Sequence, residues 1–320
     1  MSQVGCAGMV VADTFCGPIQ ALPAQGGLLL LEEMPVRLGG CAANVAIDLA
    51  KQGVDVDIVG CVGQDCAANV LFETLNRHQV GHSKMMRVAG HPTSTTIILL
   101  IEGEDRRYLH VIGANRAFSM GHVDRNWLAQ RKVFYLGGLF ALPGIDLQQL
   151  ADLLVFCRKA KVTTVLDVVI SQDLRGMSQL DLLLPLIDVF VPNEDEARAF
   201  TGLTDPYDQL NAFERAGAHT VIITRGGEGT VALQERCIWT SGAYQMDVID
   251  PSGAGDAFTS GVIRSLLEGW DMPQMLKYAS AIGASTTRAA GTTDSVFSAI
   301  EAETFIKNHP LTVKQERRGT

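Results

Sequence analysis

Short apolar segments alternate with amphipathic segments along most of this 320-residue chain. The apolar segments that we predict as strands are residues 4–11, 56–62, 133–136, 164–169, 189–191 and 221–224. The segments that we predict as helices are residues 41–52, 68–79, 147–160, 194–201, 208–217, 255–268 and 272–288. Such alternation predicts a three-layer α/β/α core, in which a mostly parallel sheet has helices on both faces.

Two segments depart from this alternation. Residues 93–101 and 106–111 are β-rich arms around the polar turn Glu102-Gly103-Glu104-Asp105, which predicts a hairpin. Residues 28–36 predict a short strand after a loop rich in Pro and Gly. We expect these segments to form a small β lid over the strand ends. The predicted division is a core of residues 1–22, 37–92 and 112–320 and a lid of residues 23–36 and 93–111.

Charge and composition argue against several kinds of partner and cellular location for this chain. The chain has 35 acidic and 26 basic residues, a net charge of −9. Nucleic acids and anionic membranes call for clustered positive charge, so we expect neither as a partner. We find no signal peptide and no apolar run long enough to cross a bilayer. Seven cysteines lack the spacing of a disulfide framework, zinc site or redox motif, so we expect a reducing cytoplasmic location.

The segment Asp250-Pro251-Ser252-Gly253-Ala254-Gly255-Asp256 carries the strongest chemical signal. A turn of small residues that opens a helix presents backbone N–H groups and the positive end of the helix dipole to an anion. An acid in the first turn could accept the proton of a hydroxyl that attacks this anion. The segment therefore predicts a phosphoryl-transfer centre, with Asp256 as the base and Gly253, Ala254 and Gly255 as an anion hole. The alternative is an ordinary helix start, with Asp256 as a first-turn acid that the dipole favours.

Three other segments would meet this centre at the carboxyl ends of parallel strands. In Gly39-Gly40-Cys41-Ala42-Ala43-Asn44, the glycines let a ligand approach the backbone, and Asn44 offers a donor and an acceptor. Asn193 and Glu196 suit the outer shell of hydrated Mg²⁺, although their spacing is also that of a capping box, and both roles are compatible. Thr224-Arg225-Gly226-Gly227-Glu228-Gly229 is a Gly-rich turn that could approach a nucleotide.

The chain contains neither a GxxxxGK[ST] loop nor a GxGxxG sequence after its first strand. Its own motifs together resemble those of the PfkB, or ribokinase-like, family of carbohydrate and nucleoside kinases. The resemblance spans nearly the whole chain and rests on five segments in the family's order: GGCAAN at 39–44, GCVGQD at 60–65, NEDE at 193–196, TRGGEG at 224–229 and DPSGAGD at 250–256.

The resemblance implies a ribokinase-like fold and ATP-dependent transfer of the γ-phosphoryl group to a hydroxyl of a small sugar, similar to ribose or fructose. It implies that Asp256 is the base and that Mg²⁺ accompanies ATP. The residues that it assigns to the acceptor are Asp13, Gly39, Gly40 and Asn44; those that it assigns to Mg²⁺ and the nucleotide are Asn193, Glu196, Thr224, Gly226 and Gly229. It also implies a monovalent cation, with K⁺ as the candidate, at Asp250, Ser252, Gly291 and Ser295, and a homodimer formed through the lid.

Two alternatives remain open. A nucleoside kinase would need an aromatic slot for the base, which Phe15, Tyr108 and Phe118 could supply. A catalytically silent binding protein would have lost the base or the anion hole, and both are present in the sequence. On the predicted lid arm, Arg107 and His110 are further candidates for contact with the acceptor.

Overall fold

The computed structural model describes residues 2–104, 106–170 and 176–317 of the chain. Asp105 of the predicted hairpin turn lies outside the described residues. The strands of the described part are, in chain order, β1 (Val4–Gly8), β2 (Val11–Ile19), β3 (Val36–Gly39), β4 (Val56–Val59), β5 (Cys61–Val62), β6 (Met86–Arg87), β7 (Thr95–Ile101), β8 (Arg107–Val111), β9 (Val133–Leu139), β10 (Thr163–Val168), β11 (Val189–Phe190), β12 (Thr220–Thr224), β13 (Thr230–Gln234), β14 (Cys237–Ser241) and β15 (Val313–Arg317). The α-helices are α1 (Cys41–Lys51), α2 (Cys66–Arg77), α3 (Arg125–Leu128), α4 (Leu147–Ala160), α5 (Glu194–Thr201), α6 (Pro206–Arg215), α7 (Ala254–Glu268), α8 (Met272–Thr286) and α9 (Ala299–Asn308).

The main sheet contains nine of these strands, in the order β4-β1-β9-β10-β11-β12-β13-β14-β15. The strands from β4 to β12 are parallel, and β13 to β15 continue the sheet in antiparallel fashion. Ala7 and Leu136 face a core shared with α4, α5 and α6, whereas their neighbours Cys6 and Tyr135 face a core shared with α1, α2, α7 and α8. Because alternate residues of a strand point to opposite faces, this pattern confirms the three-layer α/β/α prediction.

A second sheet, in the order β3-β2-β7-β8, forms the lid and confirms that a small separate sheet exists. Two details of its composition were not predicted. Strand β2 lies in this sheet and not with β1, because Gly8, at φ +130°, turns the chain away after β1. The predicted strand at 28–36 is wrong except at its end. The exposed side chains Leu28 and Leu30 lie in irregular backbone, and only β3, from Val36, pairs with β2.

The sequence pattern also missed the antiparallel extension of the main sheet. Strand β13 follows β12 after a short turn, and β15 pairs with β14 in register from Cys237 to Ser241. Strands β13 and β14 follow β12 with no α-helix between them, and β15 follows α9, so the alternation of strand and helix does not predict them. Among the described residues, no helix has both the length and the apolar character needed to span a membrane.

The helix N-termini divide into two groups. Seven of the described helices begin at a residue whose side chain accepts a hydrogen bond from the first turn, as Asp65 does for α2 and Asp271 does for α8. Helices α1 and α7 begin instead at Gly40 (φ +89°) and Gly253 (φ +78°), without a side-chain cap. Their first-turn N–H groups are thus left to other partners. Both glycines line the same cavity.

Candidate active site

A cavity of about 1100 Å³ lies between the carboxyl edge of the main sheet and the lid. The lid contributes alternate residues of β7 and β8, namely Thr96, Ile98, Tyr108 and His110. A second cavity, of about 400 Å³, adjoins the first. The two cavities share the lining residues Asn193, Thr224, Pro251, Ala254 and Gly255. Two adjoining cavities that meet at a helix N-terminus could hold a phosphate donor and an acceptor end to end.

The predicted anion hole forms the start of α7. Gly253 adopts a left-handed conformation at the N-cap, and a Cβ at this position would collide with the carbonyl oxygen of Thr292. Gly255 has open space on its Cβ side and lines both cavities. The N–H of Ala254 donates to the Pro251 carbonyl at 3.3 Å, which closes the turn. The turn thus requires glycine at 253 for its shape and leaves the space next to Gly255 to a ligand.

The Asp256 carboxylate lies in the first turn of α7 and lines the larger cavity. Asn44 Nδ2 donates to Asp256 Oδ2 at 2.7 Å, and Asn44 Oδ1 accepts from Thr292 Oγ1 at 2.9 Å. The second hydrogen bond fixes the orientation of the amide, so that its NH₂ group faces the acid. Burial raises the pKa of Asp256, and the hydrogen bonds from Asn44 and Cys41 oppose this shift. A raised pKa suits a group that accepts and releases a proton.

A second carboxylate, on Asp167, lies beside Asp256 and was not predicted. Ligand atoms of Cys41, Asp167 and Asp256 all lie within 4.8 Å of one another. Tyr135 Oη and the N–H of Gly138, at 2.7 Å, donate to Asp167. Burial, and then the charge of Asp256, raises the pKa of Asp167. An acid near the end of the apolar run 163–168 was the signal that could have found it.

This cluster is poorly suited to a metal ion. A thiol must lose its proton to act as a metal ligand. Burial, followed by the charges of Asp256 and Asp167, raises the pKa of the Cys41 thiol well above its usual value. Cys41 therefore remains a neutral donor to Asp256 and helps to hold the carboxylate in place.

Asn193 and Glu196 form the predicted capping box at the start of α5. The Asn193 N–H donates to Glu196 Oε2 at 2.8 Å, and the Glu196 N–H donates to Asn193 Oδ1 at 2.9 Å. Both residues also line the larger cavity. Burial raises the pKa of Glu196 to about 7, against the lowering effect of the Asn193 N–H. The capping role is confirmed, and it leaves the pair facing the space where phosphates would lie.

The Gly-rich turn after β12 lines the smaller cavity. Thr224 lies at the junction of the two cavities, and Gly226 (φ +52°) and Gly229 (φ +87°) line the smaller one. Apolar side chains complete that cavity, among them Tyr244 and Met246. A partly apolar cavity lined by glycine backbone suits the base and ribose of a nucleotide.

Of the predicted acceptor residues, Asp13, Gly40 and Asn44 line the larger cavity, whereas Gly39 and Arg107 do not. Asp13 is buried and lines the larger cavity, as does Gly40. A Cβ on Gly39 would collide with the Asp13 carboxylate, so Gly39 makes room for it. Burial raises the pKa of Asp13 to about 6; a hydrogen bond from Thr96 lowers it and the charge of Asp256 raises it.

Arg107 does not face the cavity. Its side chain is 55% exposed and forms an ion pair with Glu104. Its neighbour Arg106 lines the cavity, as do Tyr108 and His110. Because side chains alternate along a strand, the residues at 106, 108 and 110 share one face. The strand periodicity of two could have selected Arg106 from the sequence.

Of the three aromatic residues suggested for contact with a nucleoside base, one lines the cavity. Phe15 and Phe118 are buried in the protein interior and do not line the cavity, whereas Tyr108 does. Phe140, which was not predicted, also lines the cavity.

The four positions predicted for a monovalent cation lie around the turn before α7. Asp250 is buried, and its carboxylate accepts from the N–H groups of Ser252 at 2.9 Å and Gly291 at 3.2 Å. Ser252 Oγ accepts from Arg106 Nη1 at 2.7 Å. Ser295 Oγ donates to the carbonyls of Ser285 and Thr286, at 2.9 and 2.8 Å. These contacts already engage side-chain oxygens that a cation would need as ligands.

Comparison with known proteins agrees with this geometry. A family model described as pfkB family carbohydrate kinase matches residues 10–299. The chain is 25% identical over 291 residues to a ribokinase of Haemophilus influenzae, which covers 88% of this chain and 92% of that protein. It is 24% identical over 264 residues to a nucleoside kinase of Methanothermobacter thermautotrophicus, which covers 81% of each.

A solved structure also resembles the chain. The crystal structure of a putative Ribokinase II from E. coli in complex with ATP and Mg²⁺ superposes with a TM-score of 0.83 at 22% identity, and the match covers 97% of this chain and 100% of that one. This likeness confirms the ribokinase-like fold. Because the family model spans the motifs at 39–44, 193–196, 224–229 and 250–256, the chain belongs to the pfkB family of carbohydrate kinases, which are ATP-dependent phosphotransferases.

Proposed function

We propose that this kinase transfers the γ-phosphoryl group of ATP to a hydroxyl of a small free sugar, similar to ribose or fructose. The observation that best supports the proposal is the position of Asp256. Its carboxylate lies in the first turn of α7, next to the open N–H groups of Gly253 and Gly255, and it is held by Asn44 beside Asp13. Base, anion hole and acceptor pocket thus meet at one point.

In the proposed reaction, the acceptor oxygen forms a bond to the γ-phosphorus, and the bond from phosphorus to the β,γ-bridging oxygen breaks. The proton of the acceptor hydroxyl passes to Asp256, and ADP leaves with the bonding electrons. The N–H groups of Gly253 and Gly255 stabilise the charge on the transferred group. The N–H of Ala254, which was predicted to join them, donates instead to the Pro251 carbonyl. Asn193 and Glu196 would hold, through water, the Mg²⁺ that accompanies ATP, which when bound neutralises phosphate charge.

The polarity of the larger cavity supports a sugar acceptor. Asp13, Asn44, Thr96 and His110 offer acceptors and donors to several hydroxyls. Tyr108 offers an aromatic face to a base, but the buried Phe15 and Phe118 do not join it. The relatives include kinases for both classes of acceptor, so a nucleoside remains the second candidate.

Coupled ADP release with ATP and Mg²⁺ tests the proposal against a panel of free sugars, sugar phosphates and nucleosides. We expect one free sugar to give a kcat/KM at least about tenfold above every nucleoside. A nucleoside as the best acceptor would establish the second candidate instead. A flat panel, with ATP binding shown by calorimetry, would favour a binding protein. The Asp256→Asn variant controls for contaminating kinases.

The acceptor KM should depend on pH through Asp13. Its pKa is raised to about 6, so it loses its charge as the pH falls through 6 and can no longer accept from two sugar hydroxyls. An aspartate with the usual pKa would stay charged to about pH 4. We therefore expect the acceptor KM of the natural protein to rise as the pH falls below 6. In Asp13→Asn, the acceptor KM should be high and independent of pH; an unchanged pH dependence would remove Asp13 from the acceptor site.

We also propose that two copies of the chain pair through the outer face of the lid. Ile97 pairs with Leu109 across β7 and β8, and Val36 lies in the same row on β3. The exposed fractions are 38% for Ile97, 59% for Leu109 and 45% for Val36. Thr14 on β2 lies between Val36 and Ile97, so the row is apolar at three of its four positions. An exposed and mostly apolar row across a sheet is typical of an interface with a symmetric copy.

Light scattering after size exclusion should give twice the chain mass, and Leu109→Asp should give the mass of one chain. Ile300→Asp, which changes an apolar side chain that is 78% exposed on α9, is the control and should remain dimeric. A monomeric natural protein, or dissociation of both variants, would contradict the lid interface.

A further inference from the structure

We propose that Arg106 occupies the place of a monovalent cation beside the anion hole, so that this kinase works without K⁺. The proposal rests on the phosphoryl transfer proposed above and concerns its positioning machinery. Arg106 lines the cavity and immediately precedes β8 of the lid. Its guanidinium contacts Asp250 and Ser252, on the turn that forms the anion hole.

The first observation is the environment of Asp250. This side chain is only 2% exposed, and a buried carboxylate needs a positive partner or several donors. Two backbone N–H groups donate to it, and the Arg106 guanidinium lies 3.6 Å from Oδ1. The same guanidinium donates to Ser252 Oγ at 2.7 Å. The positive charge that balances Asp250 is therefore supplied by the protein.

The second observation is that neighbouring oxygens also face guanidinium groups. Arg37 donates to the Ala290 carbonyl, and Arg288 Nη2 donates to the Ser295 carbonyl at 2.6 Å. A cation ligated by these oxygens would have to displace the guanidinium groups that already donate to them. The charge of Arg37 is balanced by Asp294, so the competition is for the oxygens themselves. The residues present thus do not fit a K⁺ site, which argues against the expectation drawn from the sequence.

Arg106 also connects two parts of the site. It links the lid to the turn, and Ser252 immediately precedes Gly253. When the lid covers the cavity as it does here, the guanidinium holds the turn whose N–H groups face the transferred phosphoryl group. Arg106 is thus a positioning residue, which acts through Asp250 and Ser252.

The first test compares salts. Turnover by the natural protein is measured in KCl and in tetramethylammonium chloride of equal ionic strength. We expect the two kcat values to agree within about twofold. A larger stimulation by K⁺ would overturn the proposal, because it would require a cation that the protein does not supply.

The second test uses Arg106→Ala, with Arg107→Ala as the matched control one residue along the chain. Arg106→Ala should lower kcat about tenfold in tetramethylammonium chloride, and KCl should restore part of the loss. Arg107→Ala should stay within about twofold of the natural protein in both salts. An equal loss in both salts for Arg106→Ala would show a merely structural role and overturn the proposal.

A third measurement does not depend on catalysis. The melting temperature of Arg106→Ala should be higher in KCl than in tetramethylammonium chloride, whereas those of the natural protein and Arg107→Ala should be the same in both salts. This difference is measurable even if no acceptor is phosphorylated. Failure of the cation substitution is thereby distinguished from failure of the proposed kinase reaction. If K⁺ raised the melting temperatures of the natural protein and of Arg106→Ala equally, the proposal that Arg106 replaces the cation would be contradicted.

Discussion

Asp256→Asn should lower kcat by about 10²–10⁴, the range for loss of a positioned base. The dissociation constant of ATP should change little, because the backbone of the anion hole and the turn at Gly226 and Gly229 are untouched. The side-chain carbonyl of the new asparagine can still accept from Asn44 Nδ2. Steady-state kinetics and calorimetry with ATP measure the two quantities.

Stability gives this prediction an independent check. Burial raises the pKa of Asp256, so the charged form is disfavoured in the folded protein. At a pH above the pKa of Asp256 in the folded protein, the buried charge lowers the free energy of unfolding. Asparagine has the same shape and no charge, so the substitution removes this loss. We therefore expect Asp256→Asn to melt at the same temperature as the natural protein or higher. A loss of activity caused by unfolding would show the opposite shift.

The control for Asp256→Asn is Asp195→Asn. Asp195 is also a first-turn acid, on α5, and its side chain is 81% exposed and pairs with Arg198. If Asp256 acted only through the helix dipole, the two substitutions would have similarly small effects. Near-normal turnover by Asp256→Asn would thus support the ordinary helix start that the sequence left open, and the assignment of the base would be wrong.

The alternating part of the fold was predictable because each element carries its own signal. Helix α4 has the predicted bounds, with Asp146 as its cap, and the capping box at Asn193 and Glu196 fixes the start of α5. The errors arose where the tertiary context decides. The pattern at Leu28 and Leu30 predicts a strand, but these residues pair with no strand in the described structure. Strand β15 forms because it pairs with β14, which is distant in the sequence.

In the candidate site too, residues in local motifs were predictable and residues that depend on tertiary contacts were not. Asp256 and Asn44 were predictable because each lies within a short motif at a helix start. Asp167 was missed because its only local signal is an acid near a strand end, and the adjacency of β9 and β10 is what brings Tyr135 to it. Arg107 was chosen instead of Arg106 because the face of the strand was assigned wrongly. A shift of one residue along a strand moves each side chain to the opposite face.

Gly253→Ala should lower kcat by about 10²–10³, the usual effect of losing one donor of an oxyanion hole. Gly253 has φ +78°, and an added Cβ would collide with the carbonyl of Thr292. The turn or Thr292 must therefore move. Displacement of the turn misaims the N–H groups, and displacement of Thr292 releases the amide of Asn44 from Asp256. Because both routes damage the transfer step, the loss should appear in kcat more than in the KM for ATP.

Backbone strain alone does not account for that loss, and Gly269→Ala shows why. Gly269 ends the same helix with φ +68°, and no atom lies within 4 Å of an added Cβ. Alanine there costs about 1 kcal/mol for the left-handed conformation and touches neither cavity. Both variants should melt below the natural protein, but only Gly253→Ala should lose turnover. Equal kcat values for the two variants would mean that the turn at 253 does not stabilise the transferred group, and that α7 contributes to the reaction through Asp256 alone.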